Sequence, residues 1–125
     1  MTKLLMVEDN DMNWDMLSRR LRRKGFEVVR AEDGEQGVEM AKTAEPDLIL
    51  MDMMMPVKDG YEATREIKAM PETHAIPIIG LTANAMEGDK AKVMEAGCDG
   101  YQSKPVDLPE LLNQMQSFLG EKWPA

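Results

Sequence analysis

Five polar residues in this chain of 125 stand where short apolar runs end. Glu8 and Asp9 directly follow the run Leu4–Val7, Asp52 follows Leu48–Met51, Thr82 closes Ile76–Leu81, and Lys104 comes just after a weaker run around Tyr101. By type they are three carboxylates, a hydroxyl and an ammonium. Two like charges about 4 Å apart repel by roughly 4 kcal/mol at an effective dielectric near 20. Three carboxylates gathered at one point therefore need a proton or a cation among them, and Lys104 offsets only one charge. A hard divalent ion held by a few carboxylates, a carbonyl and waters meets that need, which describes Mg²⁺. Such sites are usually completed by a substrate phosphate, whose remaining oxygens Thr82 and Lys104 are suited to hold. Asp52, central in this set, is the best nucleophile for an in-line phosphoryl transfer.

That chemistry requires a fold that brings four distant segments together. The apolar runs Leu4–Val7, Val28–Ala31, Leu48–Met51 and Ile76–Leu81 and the weaker one at Tyr101 are short and continuous, as strands buried on both faces are. Amphipathic stretches lie between them. In the last, Leu108, Leu111, Leu112, Met115, Phe118 and Leu119 follow helical spacing, with Asp107 as its cap, Glu110 three later and Pro109 in its first turn. The first helix carries Met12, Met16, Leu17 and Leu21 on one side and Arg19, Arg20, Arg22 and Arg23 on the other, and Gly25 is placed to end it. The third shows Ala63, Ile67 and Met70 after the Asp59-Gly60 turn. Strands alternating with helices and joined by right-handed crossovers give a doubly wound α/β sandwich with a parallel sheet. In such sheets the ligand site lies at the carboxyl ends of the strands, where all five polar residues stand. Each has a plainer reading alone: Glu8 and Asp9 as acids favoured at a helix start, Asp52 as a loop cap, Thr82 as a helix cap, Lys104 as a counter-ion. Their coincidence at four strand ends argues for one site.

Composition narrows the class of partner. Fifteen Lys and Arg against 23 Asp and Glu leave a net charge of −8, which argues against a nucleic-acid or anionic membrane surface. One cysteine, Cys98, excludes an intrachain disulfide and fits a reducing compartment, and no apolar run reaches the ~18 residues of a membrane helix. The expectation is a single cytoplasmic domain over 1–125, with a core from about 3 to 119 and a frayed tail over 120–125. The 13 methionines are expected to be core filler, His74 to lie on the surface and Cys98 to be buried.

The chain resembles the receiver domain of two-component response regulators, the chemotaxis-regulator fold. The resemblance runs from about Lys3 to Leu119. It is carried by Val7-Glu8-Asp9-Asn10, by Leu50-Met51-Asp52-Met53-Met54-Met55-Pro56 with Asp59-Gly60, by Leu81-Thr82-Ala83, and by Tyr101 before Lys104-Pro105. It implies a three-layer, flavodoxin-like (βα)5 sandwich with strand order 2-1-3-4-5. Asp52 is then the phosphoacceptor from a histidine kinase or histidine phosphotransfer protein. Mg²⁺, or Mn²⁺ in its place, would be held by Asp9, Asp52 and the backbone carbonyl of Met54, with Glu8 acting through water. Thr82 and Lys104 would hold the phosphoryl oxygens, Tyr101 would be the switch aromatic, and the Lys104-Pro105 bond would be cis. A downstream protein would read the face made by helix 4, strand 5 and helix 5, and the chain would be a monomer or a weak dimer. Lys58 stands where the family commonly has methionine and receives no role. Met54 and Asn84 resemble positions that tune the phosphoryl lifetime. The wording around Glu8 and Lys104 also resembles receivers inside hybrid kinases.

Other functions compete on specific residues. A phosphatase of the haloacid-dehalogenase type places a second aspartate two residues after the nucleophile, and Met54 stands there. A flavin-binding protein of this fold carries a Ser/Thr/Gly-rich loop after the first strand, where Glu8-Asp9-Asn10 stands instead. A receiver that works without phosphorylation would not need the full acidic set.

Overall fold

The computed structural model describes residues 1–55, 57–83 and 87–124. Five strands and five helices alternate: β1 (Lys3–Val7), α1 (Asp11–Arg23), β2 (Glu27–Ala31), α2 (Gly34–Thr43), β3 (Leu48–Asp52), α3 (Gly60–Ala69), β4 (Ile78–Thr82), α4 (Glu87–Glu95), β5 (Gly100–Ser103) and α5 (Leu108–Leu119). All strand pairs are parallel and the sheet order is β2-β1-β3-β4-β5, as expected.

The period of two along each strand divides the core into two layers. Leu4 and Met6 of β1, Leu48 and Leu50 of β3, and Ile79 and Leu81 of β4 pack with Leu17 and Leu21 of α1 and Leu111, Met115 and Leu119 of α5. Leu5, Val7, Ile49, Met51 and Ile78 face the other way, against Val38 and Ala41 of α2, Ala63 and Ile67 of α3 and Val93 of α4. Because β1, β3 and β4 are apolar on both sides, each is anchored from both faces and its carboxyl end is held at a fixed height.

Helix ends are set by local chemistry. Asn10, Asp33, Asp59 and Asp107 each accept a hydrogen bond from the peptide N–H three residues on, capping α1, α2, α3 and α5. Gly25, at φ 99°, turns the chain out of α1 in the left-handed region that a side chain resists. Gly60 opens α3 so close to the end of β3 that a Cβ there would lie 2.4 Å from the Asp52 carbonyl oxygen.

Three expectations are corrected. Residues 120–125 are not a frayed tail over the described part: Gly120–Lys122 form a 3-10 turn, and Trp123 packs edge-on against Phe26 at 5.3 Å between ring centres. Met12 and Met16 do not join Leu17 and Leu21 in the core but are 71% and 51% exposed, and Met54 is 69% exposed. The fourth strand begins at Ile78, not Ile76: Pro77 has no N–H to give a ladder, and only its carbonyl is used, accepting from Ile49. His74 is exposed and Cys98 is buried, its sulfur 3.8 Å from the Thr64 hydroxyl.

Candidate functional site

The site is assembled at the carboxyl ends of β1, β3, β4 and β5. Glu8 leaves β1 with its N–H donating to the Ala31 carbonyl at 3.0 Å, which keeps the chain in register for one residue past the strand. Its carboxylate is buried, and one oxygen accepts the Asn10 N–H at 3.2 Å. Asp9 follows at the exposed rim. Asp52 is the last residue of β3, opposite Leu81, with 4% of its surface exposed. Its Oδ1 accepts the Met54 N–H at 3.2 Å. Thr82 is the last residue of β4, buried, and its carbonyl accepts the Lys104 N–H at 2.7 Å. The loop after β5 is thereby tied to the end of β4, and the Lys104-Pro105 bond within it is cis.

These main-chain bonds deliver the side chains to one place. Lys104 Nζ lies 3.0 Å from Glu8 Oε1 and 3.4 Å from Asp52 Oδ2. One carboxylate oxygen from each of Glu8, Asp9 and Asp52 lies within 4.8 Å of the others, the one such acidic group among the described residues. The ammonium is outnumbered three to one, and the donors are all hard oxygens, a set that fits a small divalent cation. Burial pushes the Glu8 carboxyl up to about 7, with the Asp52 charge adding to the rise and Lys104 and the Asn10 N–H opposing it.

Two hollows flank the cluster. On the α1 side a cleft of about 240 Å³ is lined by Glu8, Asn13, Met16, Arg20, Lys104 and Pro105. On the other side a wider groove between α3 and α4, about 990 Å³, reaches Met54, Asp59, Thr82 and Asp89. Tyr101 is not part of the acidic cluster; it lies on β5 opposite Gly80, half-buried beside the layer of Val93 and Cys98. Lys58 pairs with Glu66 of α3 at 2.6 Å. Pro56 and Asn84 lie outside the described residues.

One contributor was not singled out from sequence. Arg30, near the end of β2, donates from Nε to the Glu8 carbonyl at 3.1 Å and pairs with Asp11 at 2.9 Å. Its signal was an arginine inside the apolar run Val28–Ala31, since a charge that far into a strand needs partners.

The known proteins that this chain is similar to share one family. The sequence model of the response regulator receiver domain matches residues 4–116, from β1 into α5. The chain is 38% identical over 122 residues to the polar-differentiation response regulator DivK of Brucella ovis, covering 97% of this chain and 99% of that protein. Among solved structures it resembles the receiver domain of the sensor histidine kinase PA1611 from Pseudomonas aeruginosa PAO1, which has a magnesium ion coordinated in its active site cleft. The TM-score is 0.89 with 42% identity, covering 95% of this chain and 98% of that one. It also resembles the receiver domain of the Saccharomyces cerevisiae response regulator Ssk1, solved with the histidine phosphotransfer protein Ypd1. Here the TM-score is 0.89 with 29% identity, covering 98% of this chain and 91% of the other. Fold, acidic edge and sequence point the same way, and the chain belongs to the receiver domain family of two-component response regulators.

Proposed function

We propose that Asp52 accepts a phosphoryl group from a histidine kinase or histidine phosphotransfer protein in the cytoplasm, and that the phosphorylated chain switches a protein–protein interaction in a phosphorelay. The observation that carries this reading is the position of Lys104 Nζ, within 3.4 Å of Asp52 and beside a carboxylate cluster that it cannot neutralise alone. Asp9, Asp52 and the Met54 carbonyl would hold Mg²⁺, or Mn²⁺ in its place, with Glu8 acting through water. When bound, the ion supplies charge withdrawal from the phosphoryl oxygens.

An Asp52 carboxylate oxygen attacks phosphorus in line. The P–N bond to the donor histidine breaks, and the ring nitrogen keeps the electron pair, leaving as neutral imidazole when its other nitrogen is protonated. Lys104 follows the new anionic oxygens, and the Thr82 hydroxyl donates to one of them. Attack of water on the same phosphorus later returns Asp52 and inorganic phosphate. The chain thus catalyses its own phosphorylation and dephosphorylation and turns over no other substrate. Met54, apolar and exposed at the position two after Asp52, offers no general acid for a phosphatase cycle.

Phosphorylation adds about −1.5 to −2 charges beside Thr82 and Lys104. Moving a two-state element from 1:99 to 99:1 takes about 5.5 kcal/mol, within reach of a few charge-assisted hydrogen bonds at about 1.5–3 kcal/mol each. The element is the loop after β4 with Tyr101 as its aromatic, which turns inward as Thr82 moves to the phosphoryl group. The face of α4, β5 and α5 is where the target reads the change. The donor approaches over α1, where Met12 is exposed and Met16 borders the cleft that ends at Lys104 and Pro105.

The test is incubation of the full chain with acetyl phosphate and Mg²⁺, followed by intact-mass measurement. Wild type is expected to gain the mass of one phosphoryl group, a gain abolished when the metal is chelated beforehand, and Asp52→Asn to gain none. Asp52→Asn that still takes up the group overturns the assignment.

A further inference from the structure

Glu8 and Asp9 sit on a turn between β1 and α1, and the orientation of an exposed aspartate on such a turn depends on what fixes its ends. Both ends are held by one side chain. Arg30 of β2 donates from Nε to the Glu8 carbonyl at 3.1 Å, and its Nη1 pairs with Asp11, the first residue of α1, at 2.9 Å. Glu8 and Asp11 bracket Asp9 and Asn10, so the guanidinium spans the whole turn. Its outer side meets Glu32 at 3.8 Å. Its face lies over the Trp14 ring, 5.6 Å from the centre, and Arg22 is stacked on the same ring at 5.4 Å. Only 17% of the Arg30 side chain is exposed. Two donors aimed at two separate acceptors, with a flat face left for an aromatic ring, is a task for a guanidinium and not for the point charge of a lysine.

We infer that Arg30 is a positioning residue for the acidic site: by clamping the Glu8–Asp11 turn it holds Asp9 in place for a divalent cation, and through Trp14 it couples the filling of that site to the surface of α1. This rests on the proposed binding of Mg²⁺ at Glu8, Asp9 and Asp52. Residues that orient metal ligands without touching the metal typically change affinity by about 10–100-fold when removed.

The chain supplies its own reporters. Its two tryptophans are Trp14, stacked on Arg30, and Trp123, against Phe26 beyond α5. The full chain carrying 5-fluorotryptophan gives one ¹⁹F resonance for each, assigned with Trp14→Phe, and is titrated with Mg²⁺ alone while calorimetry measures affinity. In wild type the Trp14 resonance moves with Mg²⁺ and the Trp123 resonance stays. In Arg30→Gln, Mg²⁺ binds about tenfold more weakly and the Trp14 resonance no longer follows it; Arg30→Lys behaves the same way. A purely structural arginine would alter stability and leave the affinity of the folded variant unchanged. Wild-type affinity in Arg30→Gln overturns the inference, and so does full recovery in Arg30→Lys, which would reduce Arg30 to a charge. Should Arg30→Gln lose its fold, seen as collapse of both resonances, wild-type affinity in Arg30→Lys overturns it alone. Wild type that takes up no Mg²⁺ overturns the metal reading beneath it, an outcome distinct from either variant result.

Discussion

Buried, and beside the Asp52 carboxylate, Glu8 holds its proton up to about 7 in the native chain, against an ordinary 4.5, although Lys104 opposes the rise. Across that window the folded state keeps a proton that the unfolded chain has released. Stability contributed by Glu8 is therefore full below the lower value and is lost as pH rises through the upper one. In metal-free buffer, denaturant unfolding of wild type is expected to weaken across the window by on the order of 3 kcal/mol relative to Glu8→Gln, whose profile lacks that slope. Parallel profiles for the two proteins would remove Glu8 as the cause. The residues of the cluster were readable because carboxylates at strand ends have little structural reason to gather. Asp52, Glu8, Asp9 and Lys104 meet as their spacing implied. Arg30 was only half readable: its charge inside the run Val28–Ala31 asks for partners, but its acceptor, the Glu8 carbonyl, has no signature in a sequence.

At the scale of elements, strands and caps followed from local rules, while exposure did not. Met12 and Met16 fall on the same helical stripe as Leu17 and Leu21, yet they lie out of the core on the early turns of α1, Met16 by the cleft over Lys104. Periodicity gives the side of a helix and not the point where its support ends. The loop from β3 to α3 holds a second departure. Val57 has φ 67°, a left-handed backbone that disfavours a β-branched residue, and is 79% exposed, so it has few contacts to lose. The left-handed region costs an L-residue roughly 1–2 kcal/mol, of which glycine returns about 0.5–1 in lost freedom. Val57→Gly is expected to stabilise the protein by about 0.5–1 kcal/mol, read as a higher denaturation midpoint with an unchanged slope. A lower midpoint would mean that the Val57 methyls make contacts worth more than the strain.

For the whole molecule, no helix among the described residues is long and apolar enough to cross a membrane, and the sheet has layers on both sides. The doubly wound architecture was legible because four continuous apolar runs and a weaker fifth, each set between amphipathic stretches, leave few alternatives. The last segment was not, since six residues are too few for periodicity to declare itself. Trp123 packs against Phe26 and the α1–α5 layer. Trp123→Ala is expected to cost about 2 kcal/mol of stability while leaving phosphoryl uptake by Asp52 unchanged, because the ring lies beyond the amino ends of the strands. A matched loss of uptake in folded protein would show that the two ends communicate.

The Thr2 hydroxyl donates to the Lys122 carbonyl, and Lys122 reaches Asp47 at 3.4 Å. Thr2 and Lys122 are thus near neighbours at the edge of the molecule opposite the chemistry. A short peptide joining them would close the backbone into a ring, which can be reopened at the exposed His74 turn, in the connection from α3 to β4. Circular permutation there would move both new ends beside β4, a starting point for grafting an optical reporter onto the half of the sheet that ends in Thr82.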